Sequence, residues 1–256
     1  MTVFGAYAKY YDLLYRDKDY QGEGQFIIKL LRKHAPNAKR LLELGSGTGR
    51  HAEILAQAGY HLHGIERSPD MLAQCHAWCA QLPAQQQNLL QFTEGDLRSI
   101  RLGQQFDVVI SLFHVVSYQT TNTDLRAAFS TVKEHLKPGG VFIFDVWYGP
   151  AVLSEQPTVR VKRLTDGMTN IARIAEPNLN PNDNLVEVNY QVFIQNTQDE
   201  IFEEIRESHR MRYLFKPEID FLLESLDMEL VTSGGWMTDQ PAGLDTWSVY
   251  FLVKRK

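Results

Sequence analysis

A short glycine-rich segment constrains the fold of this chain more than any other feature. Residues 43–49 read Glu-Leu-Gly-Ser-Gly-Thr-Gly and overlap the end of an apolar run, residues 40–44, that is typical of a buried strand. A helix-compatible stretch, residues 51–58, comes next and is closed by Gly59. Glycines at a strand-to-helix turn let a ligand approach the backbone closely and leave helix N–H groups pointing towards it. The segment therefore predicts a ligand-binding turn in an α/β fold.

Strands and helices continue to alternate at the spacing expected for a parallel sheet. Apolar runs predict further strands at residues 61–65, 89–93, 106–112 and 141–146. Helices are predicted from the Ser68-Pro69 start to residue 80 and over residues 124–136, and Pro138-Gly139-Gly140 predicts a sharp turn before the fifth strand. Because these strands are apolar throughout, we expect a parallel sheet covered by helices on both faces.

The pattern changes after residue 156, where β-type residues alternate with turn signals. Strands are predicted at residues 158–164, 169–176, 185–195 and 200–213, with turns at Asp166-Gly167 and over residues 178–184. A helix over residues 216–226 and an apolar strand over 246–253 follow. We therefore expect residues 1–155 and 214–256 to form one α/β domain, and residues 156–213 to form an antiparallel β insert that covers a substrate site.

The glycine segment does not match the common nucleotide-binding patterns. A nicotinamide-type G-x-G-x-x-G would need glycine where Arg50 stands, and the chain contains no Gly-Lys-Ser/Thr of a P-loop. Three acids, Glu43, Glu66 and Asp96, follow successive predicted strands. They would repel a pyrophosphate but suit a cationic ligand that carries a ribose and an amine-bearing base. S-adenosylmethionine fits that description, and an NAD(P) oxidoreductase is the disfavoured alternative.

The order of these segments resembles the class I S-adenosylmethionine-dependent methyltransferases. The similar segments are ELGSGTG, Ile-Glu-Arg-Ser-Pro-Asp-Met-Leu, Glu-Gly-Asp-Leu, Phe-Asp-Val-Val and Leu-Lys-Pro-Gly-Gly, within residues 38–147. The resemblance implies a Rossmann-like, doubly wound, mostly parallel seven-stranded sheet. It also implies that S-adenosylmethionine is the cofactor.

The resemblance implies a role for each matching residue. The three glycines would line the methionine part of the cofactor, Glu66 would bind the ribose hydroxyls, and Asp96 with Leu97 would meet the adenine amine. Met71 would pack on the adenine or would be an ordinary core residue, and Glu43 would order the loop or approach the amino group. The full set expected at the cofactor is Tyr7, Glu43, Gly45, Ser46, Gly47, Gly49, Glu66, Arg67, Met71, Asp96, Leu97 and Leu112.

Tyrosines are concentrated near the N-terminus. Tyr7, Tyr11 and Tyr15 are spaced by four residues, which places them on one face of a helix. This face either packs a helix over the site or brings a hydroxyl to the substrate. The segment Tyr-Tyr-Asp-Leu-Leu-Tyr is similar to the start of the sugar-nucleotide N-methyltransferases, which dimethylate the amino group of TDP-linked aminodeoxy sugars. That resemblance implies that Tyr11 approaches the amine.

Other acceptor-side residues are predicted from the same resemblance and, for Arg206 and His209, from their place on a predicted strand of the insert. Tyr118 stands where the family often has histidine, and His114 lies four residues earlier, so Tyr11, Tyr118 and His114 are the candidate catalytic residues. His114 could equally be a buried, hydrogen-bonded core histidine. Candidate substrate-binding residues are Trp147, Tyr148, Arg206 and His209. Together with Arg212, the last two could meet a diphosphate, or they could form a solvated strand face.

Composition and net charge limit the kinds of partner and the location that we expect for this protein. The 256-residue chain has 26 basic and 31 acidic residues, and this net charge of −5 disfavours a duplex nucleic-acid partner. No apolar run reaches the ~18–20 residues of a membrane span, and two cysteines favour a reducing, cytoplasmic location. A zinc site is improbable, because the possible ligands Cys75, His76 and Cys79 all lie within one predicted helix. The sequence leaves a homodimer open. The acceptor could also be a free small amine, an amino acid or a sugar hydroxyl. The chain could instead act as a cofactor-binding module.

Overall fold

Seven strands form the central sheet of the protein. The computed structural model describes residues 8–165, 167–197 and 202–256. The sheet contains β1 (Arg40–Leu44), β2 (His61–Glu66), β3 (Leu90–Glu94), β4 (Phe106–Ser111), β5 (Leu136–Tyr148), β10 (Met228–Gly235) and β11 (Ser248–Arg255). Its order is β3-β2-β1-β4-β5-β11-β10, with β1 to β5 parallel and β11 antiparallel to both of its neighbours. The predicted Rossmann-like seven-stranded sheet is confirmed.

Helices cover both faces of this sheet. They are α1 (Ala8–Leu14), α2 (Tyr20–His34), α3 (Arg50–Gln57), α4 (Pro69–Cys79), α5 (Ala84–Gln87), α6 (Asn122–His135), α7 (Gly149–Ser154) and α8 (Lys216–Ser225). Adjacent residues of β1 point to opposite faces, so Leu41 packs with α2 and α3 while Leu42 packs in the cluster of α6 and α8. No helix among the described residues is both long and apolar enough to cross a membrane.

Polar side chains begin several of the helices. Ser68 accepts a hydrogen bond from the Met71 N–H at the start of α4, where Pro69 occupies the first turn. Thr121 accepts one from the Asp124 N–H at the start of α6. These caps satisfy backbone donors that have no partner inside the helix. The predicted start of α4 is therefore where the structure places it.

The structure corrects two predicted turns. Residues 137–140, which include Pro138-Gly139-Gly140, form an irregularity inside β5, because β4 pairs Phe106 with Leu136 and then Val108 with Val141. Gly139 has a φ of +76° there, a value that glycine adopts without steric cost. The turn predicted over residues 178–184 begins later, since the strand before it continues to Asn180.

Four antiparallel strands follow α7. They are β6 (Arg160–Thr165), β7 (Thr169–Asn180), β8 (Leu185–Asn196) and β9 (Phe202–Leu214), and each pairs with the next. The last strand joins the central sheet through two parallel pairs, Trp147 with Tyr213 and Tyr148 with Leu214. This arrangement matches the predicted antiparallel insert, and it places β8 and β9 beside the carboxyl ends of the central strands.

Substituting Gly49 tests the tightness of the glycine turn. Gly49 precedes α3 with a φ of +81°, and an added Cβ would lie 2.7 Å from Cys75 Sγ. The left-handed backbone costs a non-glycine residue about 1–2 kcal/mol, and overpacking adds about 1–3 kcal/mol. Gly49→Ala should therefore lower the free energy of unfolding in urea by both amounts.

Gly59→Ala is the matched control for this substitution. Gly59 has a φ of +90°, but an added Cβ there would meet nothing within 4 Å. This variant should lose only the backbone contribution of about 1–2 kcal/mol. Equal losses for the two variants would show that the turn is not tightly packed against α4.

Candidate active site

A cavity of about 590 Å³ opens at the carboxyl edge of the parallel strands. It lies at the β1–β4 boundary, where the strand order reverses, and open α/β sheets bind ligands at this position. The glycine turn and the ends of β2 and β4 form one side of it. The segment around α1, the 3-10 turn Val115–Tyr118 and strands β8 and β9 form the other.

Most of the residues predicted for the site lie in the wall of this cavity. They are Tyr11, Gly45, Ser46, Gly47, Glu66, Arg67, Met71, Asp96, Leu97, Leu112, His114, Tyr118, Trp147 and His209. Tyr7 lies outside the described residues. Glu43 and Gly49 lie behind the glycine turn rather than in the cavity wall.

Two predicted substrate-binding residues are placed elsewhere by the structure. Tyr148 is outside the cavity wall and packs against the core cluster around Phe144. Arg206 is exposed and pairs with Glu204, with 2.5 Å between Nε and Oε1. Arg206 and His209 are three positions apart in the chain, so their side chains point to opposite faces of β9. Arg210, which the sequence reasoning did not single out, lines the cavity instead.

The glycine turn binds the ends of β1 and β2 together. The N–H groups of Gly45 and Ser46 both donate to the carbonyl oxygen of Ile65, at 2.8 and 3.0 Å. Gly45 has a φ of +80°, and an added Cβ would lie 2.6 Å from Val115. The backbone of the turn is therefore held directly at the cavity wall.

Glu66 supports this turn from the end of β2. Its two carboxylate oxygens accept the N–H groups of Gly47 and Ser68, each at 2.8 Å. Burial raises the pKa of Glu66, while those backbone N–H groups act in the opposite direction. A carboxylate oxygen has two lone pairs, so Glu66 retains acceptor capacity for ribose hydroxyls in the cavity.

Glu43 is buried beneath the turn. Its Oε2 atom has no hydrogen-bond partner, and Oε1 lies 3.9 Å from Nδ1 of His51. Burial, and secondly the charge of Glu66, raise the pKa of Glu43 to about 8. Two neighbouring buried carboxyl groups create a place where a positive charge would be stabilised, as the cationic groups of S-adenosylmethionine require.

The predicted adenine side contains an ion-pair network. Asp96 accepts two hydrogen bonds from Nε and Nη2 of Arg98, at 2.9 and 2.5 Å, and Arg98 also reaches Asp124 at 3.0 Å. Hydrogen bonding to Arg98 lowers the pKa of Asp96. Met71 is buried against Tyr11 and Leu14 and also faces the cavity.

Helix α1 is attached to the glycine turn through Asp12. The carboxylate of Asp12 accepts the Thr48 hydroxyl at 2.8 Å and pairs with Arg50 at 2.5 Å. Tyr11 and Tyr15 face the cavity, with ring centroids 4.7 Å apart. The aromatic face predicted from the tyrosine spacing thus lies over the site.

Strained backbone follows β4. Phe113 and His114 have φ values of +63° and +61°, which are rare for residues other than glycine and are often found at functional sites. The His114 N–H donates to the Asp145 carboxylate at 3.2 Å, and its ring Nδ1 lies 2.7 Å from Oδ2. Nδ1 of His114 has no hydrogen-bond partner among the described residues, so this ring contact is a close approach rather than a hydrogen bond.

A second histidine–carboxylate pair lies on the acceptor side of the cavity. The Tyr118 hydroxyl is 2.8 Å from Nδ1 of His209, and Nε2 of His209 is 3.1 Å from Oε2 of Glu207. Asp145 and Glu207 were not predicted. The only sequence signal for Asp145 is a lone acid in the apolar run Phe-Ile-Phe-Asp-Val, and Glu207 is one of several acids on its strand.

The sheet order, the glycine turn and the buried acids at the strand ends together define a methyltransferase of the Rossmann-like class. The family model for a methyltransferase domain matches residues 41–140. A dTDP-3-amino-3,4,6-trideoxy-alpha-D-glucopyranose N,N-dimethyltransferase from Streptomyces venezuelae is 34% identical over 188 residues, covering 73% of this chain and 76% of that one. The chain belongs to this methyltransferase family, and S-adenosylmethionine is its cofactor.

Other relatives extend the match. A dTDP-3-amino-3,6-dideoxy-alpha-D-glucopyranose N,N-dimethyltransferase from Streptomyces fradiae is 27% identical over 90% of this chain and 87% of its own. The crystal structure of DesVI from Streptomyces venezuelae has the same fold, with a TM-score of 0.79 and 24% identity over 97% of this chain and 98% of that one.

The buried acid Glu43 makes stability depend on pH. In the folded protein the pKa of Glu43 is about 8, whereas the ordinary pKa of a glutamate is 4.5. Folded Glu43 therefore keeps its proton up to about pH 8. Between these values the unfolded chain binds fewer protons, so the free energy of unfolding falls as pH rises, by at most about 1.4 kcal/mol per pH unit. Urea unfolding from pH 5 to 8 should show this decline, and Glu43→Gln should remove it.

Glu229→Gln is the control for this measurement, because Glu229 is an exposed residue of β10. It should keep the decline of the unmodified protein. If Glu43→Gln and the unmodified protein gave parallel curves, Glu43 would be ionised in the fold.

Proposed function

We propose that this enzyme methylates the amino group of a nucleotide-linked aminodeoxy sugar, with a TDP-sugar as the preferred acceptor. The observation that carries the proposal is a cavity with two chemically different sides. Buried carboxyl groups surround the glycine turn on one side, and tyrosine, tryptophan, histidine and arginine line the other. The names of the Streptomyces relatives support the same class of acceptor.

The two sides correspond to the proposed division of the chain. Residues 1–155 and 214–256 hold the cofactor, and the insert, residues 156–213, contributes to the acceptor side through Tyr190, Ser208 and His209. A cytoplasmic location fits the two cysteines, Cys75 and Cys79, which are both free.

The residues of the chain hold and orient the reactants. S-adenosylmethionine supplies a methyl group already activated on a sulfonium, so the protein needs mainly to align the acceptor and to exclude water. Glu66 and the glycine turn hold the nucleoside and methionine parts. Tyr11, His114 and Tyr118 border the space left for the acceptor and can orient an amine or take up its proton.

The direct test is incubation with S-adenosylmethionine and a panel of acceptors. We expect adenosylhomocysteine release with TDP-aminosugars, and no release with the matching TDP-sugars that carry a hydroxyl in place of the amine. Release with glycine, sarcosine or free amines alone would instead assign the enzyme to free small amines. Binding of the cofactor without release for any acceptor would indicate a binding module.

Arg210 is the proposed contact for the diphosphate of the acceptor. It is exposed at the cavity wall and, unlike Arg206, has no salt-bridge partner among the residues that the structure describes. A hydrogen bond to a charged group contributes about 1.5–3 kcal/mol. Arg210→Ala should therefore raise KM for a TDP-aminosugar by at least about tenfold and leave the Kd of S-adenosylmethionine unchanged.

Arg206→Ala is the matched control, since it removes the same side chain from β9 at a position outside the cavity wall. Its KM should equal that of the unmodified enzyme. Equal effects of the two substitutions would show that only the net charge matters and would remove Arg210 from the site.

A further inference from the structure

Three side chains form a continuous hydrogen-bonded chain that ends at the cavity. Glu207 and His209 lie on β9, and Tyr118 ends the 3-10 turn that follows β4. Oε2 of Glu207 lies 3.1 Å from Nε2 of His209, and Nδ1 of His209 lies 2.8 Å from the Tyr118 hydroxyl oxygen. His209 and Tyr118 both line the cavity, whereas Glu207 stands behind His209.

This hydrogen-bonded chain of side chains determines which nitrogen of His209 carries the proton. A carboxylate only accepts hydrogen bonds, so Nε2 of His209 must donate to Glu207. In a neutral imidazole Nδ1 then has a lone pair, and the Tyr118 hydroxyl donates to it. The Tyr118 oxygen carries two lone pairs, so it can accept hydrogen bonds while it donates to His209. A hydroxyl oriented in this way offers the cavity an acceptor rather than a donor.

Two side chains of this hydrogen-bonded chain are buried, and their burial decides whether His209 can be protonated. The side chains of His209 and Glu207 are only 4% and 7% exposed. The Tyr190 ring from β8 packs edge-on against the His209 ring, with centroids 4.9 Å apart. Arg173 from β7 lies over the Tyr190 ring, with Cζ 5.2 Å from the ring centroid. A buried imidazolium would be costly alone, but the carboxylate of Glu207 lies in direct contact with it. His209 can therefore take up a proton inside the protein.

We infer that Glu207 and His209 are positioning residues that hold Tyr118 as the hydrogen-bond acceptor for the substrate amine and that store the proton the amine gives up. This inference deepens the proposed function and rests on an amine being the acceptor. An ammonium R–NH3+ gives one proton to the Tyr118 oxygen while the phenolic proton moves to Nδ1 of His209. The amine is left with a free lone pair, Tyr118 remains neutral, and the imidazolium is paired with Glu207. The stored proton passes to solvent before the next turnover.

The orientation can be tested without turnover. Nitrogen-15 NMR of the full-length protein should show His209 protonated on Nε2 and unprotonated on Nδ1 near pH 8, assigned with the His209→Gln variant. A proton on Nδ1 would overturn the inference, because Tyr118 would then accept from His209 and present its own proton to the cavity.

Kinetics test the proton-storing step. With a TDP-aminosugar, Glu207→Gln should lower kcat/KM by about 10²-fold at neutral pH, the size expected for one acid–base group. The acid limb of its pH profile should move to lower pH, since the imidazolium loses its counter-charge. The Kd of S-adenosylmethionine should not change. Glu207→Asp, which keeps the charge, should recover part of the loss.

Glu204→Gln makes the same change on β9 at an exposed carboxylate that pairs with Arg206, and its profile should match the unmodified enzyme. An unmoved acid limb in Glu207→Gln would overturn the inference. If the unmodified enzyme released no adenosylhomocysteine with any aminosugar, the proposed function would fail. The step that takes a proton from the amine would fail with it, whereas the NMR result would still decide how Tyr118 is oriented.

Discussion

The short parallel pairing between β5 and β9 determines where the acceptor side of the cavity can lie. Only two residue pairs join these strands, yet one of them contains Tyr213, which is completely buried. Because β9 enters the central sheet here, the residues just before Tyr213 are carried along the mouth of the cavity. His209 and Arg210 thereby line the same cavity as the glycine turn after β1, although more than 150 residues separate them from that turn in the chain.

The opposite side of the cavity is organised by two neighbouring buried carboxyl groups. Glu66 is held by two backbone N–H groups, whereas Glu43 has an oxygen without a partner and keeps its proton near neutral pH. Such a site is costly in the absence of a cation and becomes favourable when a cation is brought in. The same arrangement disfavours a pyrophosphate directly beside the glycine turn.

Local signals predicted the cofactor side well and the acceptor side poorly. The glycine turn, the Ser68-Pro69 helix start and the acids at the strand ends depend on neighbours within a few residues. Most of these residues lie at the cavity, whereas Glu43 and Gly49 lie behind the turn. Helix α2 and strand β10 were not predicted. The contact of Tyr118 with His209 depends on how far β9 extends and on which face each residue takes. That is a long-range property, and a shift of one residue would have reversed it.

The acceptor side combines strain with two histidine–carboxylate pairs. The left-handed backbone at Phe113 and His114 brings the His114 N–H and ring to Asp145, and the 3-10 turn that follows brings Tyr118 to His209. Both His114 and Tyr118 therefore enter the cavity from one short segment after β4. His114 is held by Asp145 of β5, and Tyr118 is held by His209 of β9, which in turn contacts Glu207. A substrate bound between them would meet oriented groups without requiring the protein to rearrange, and such preorganisation suits a reaction whose methyl donor is already activated.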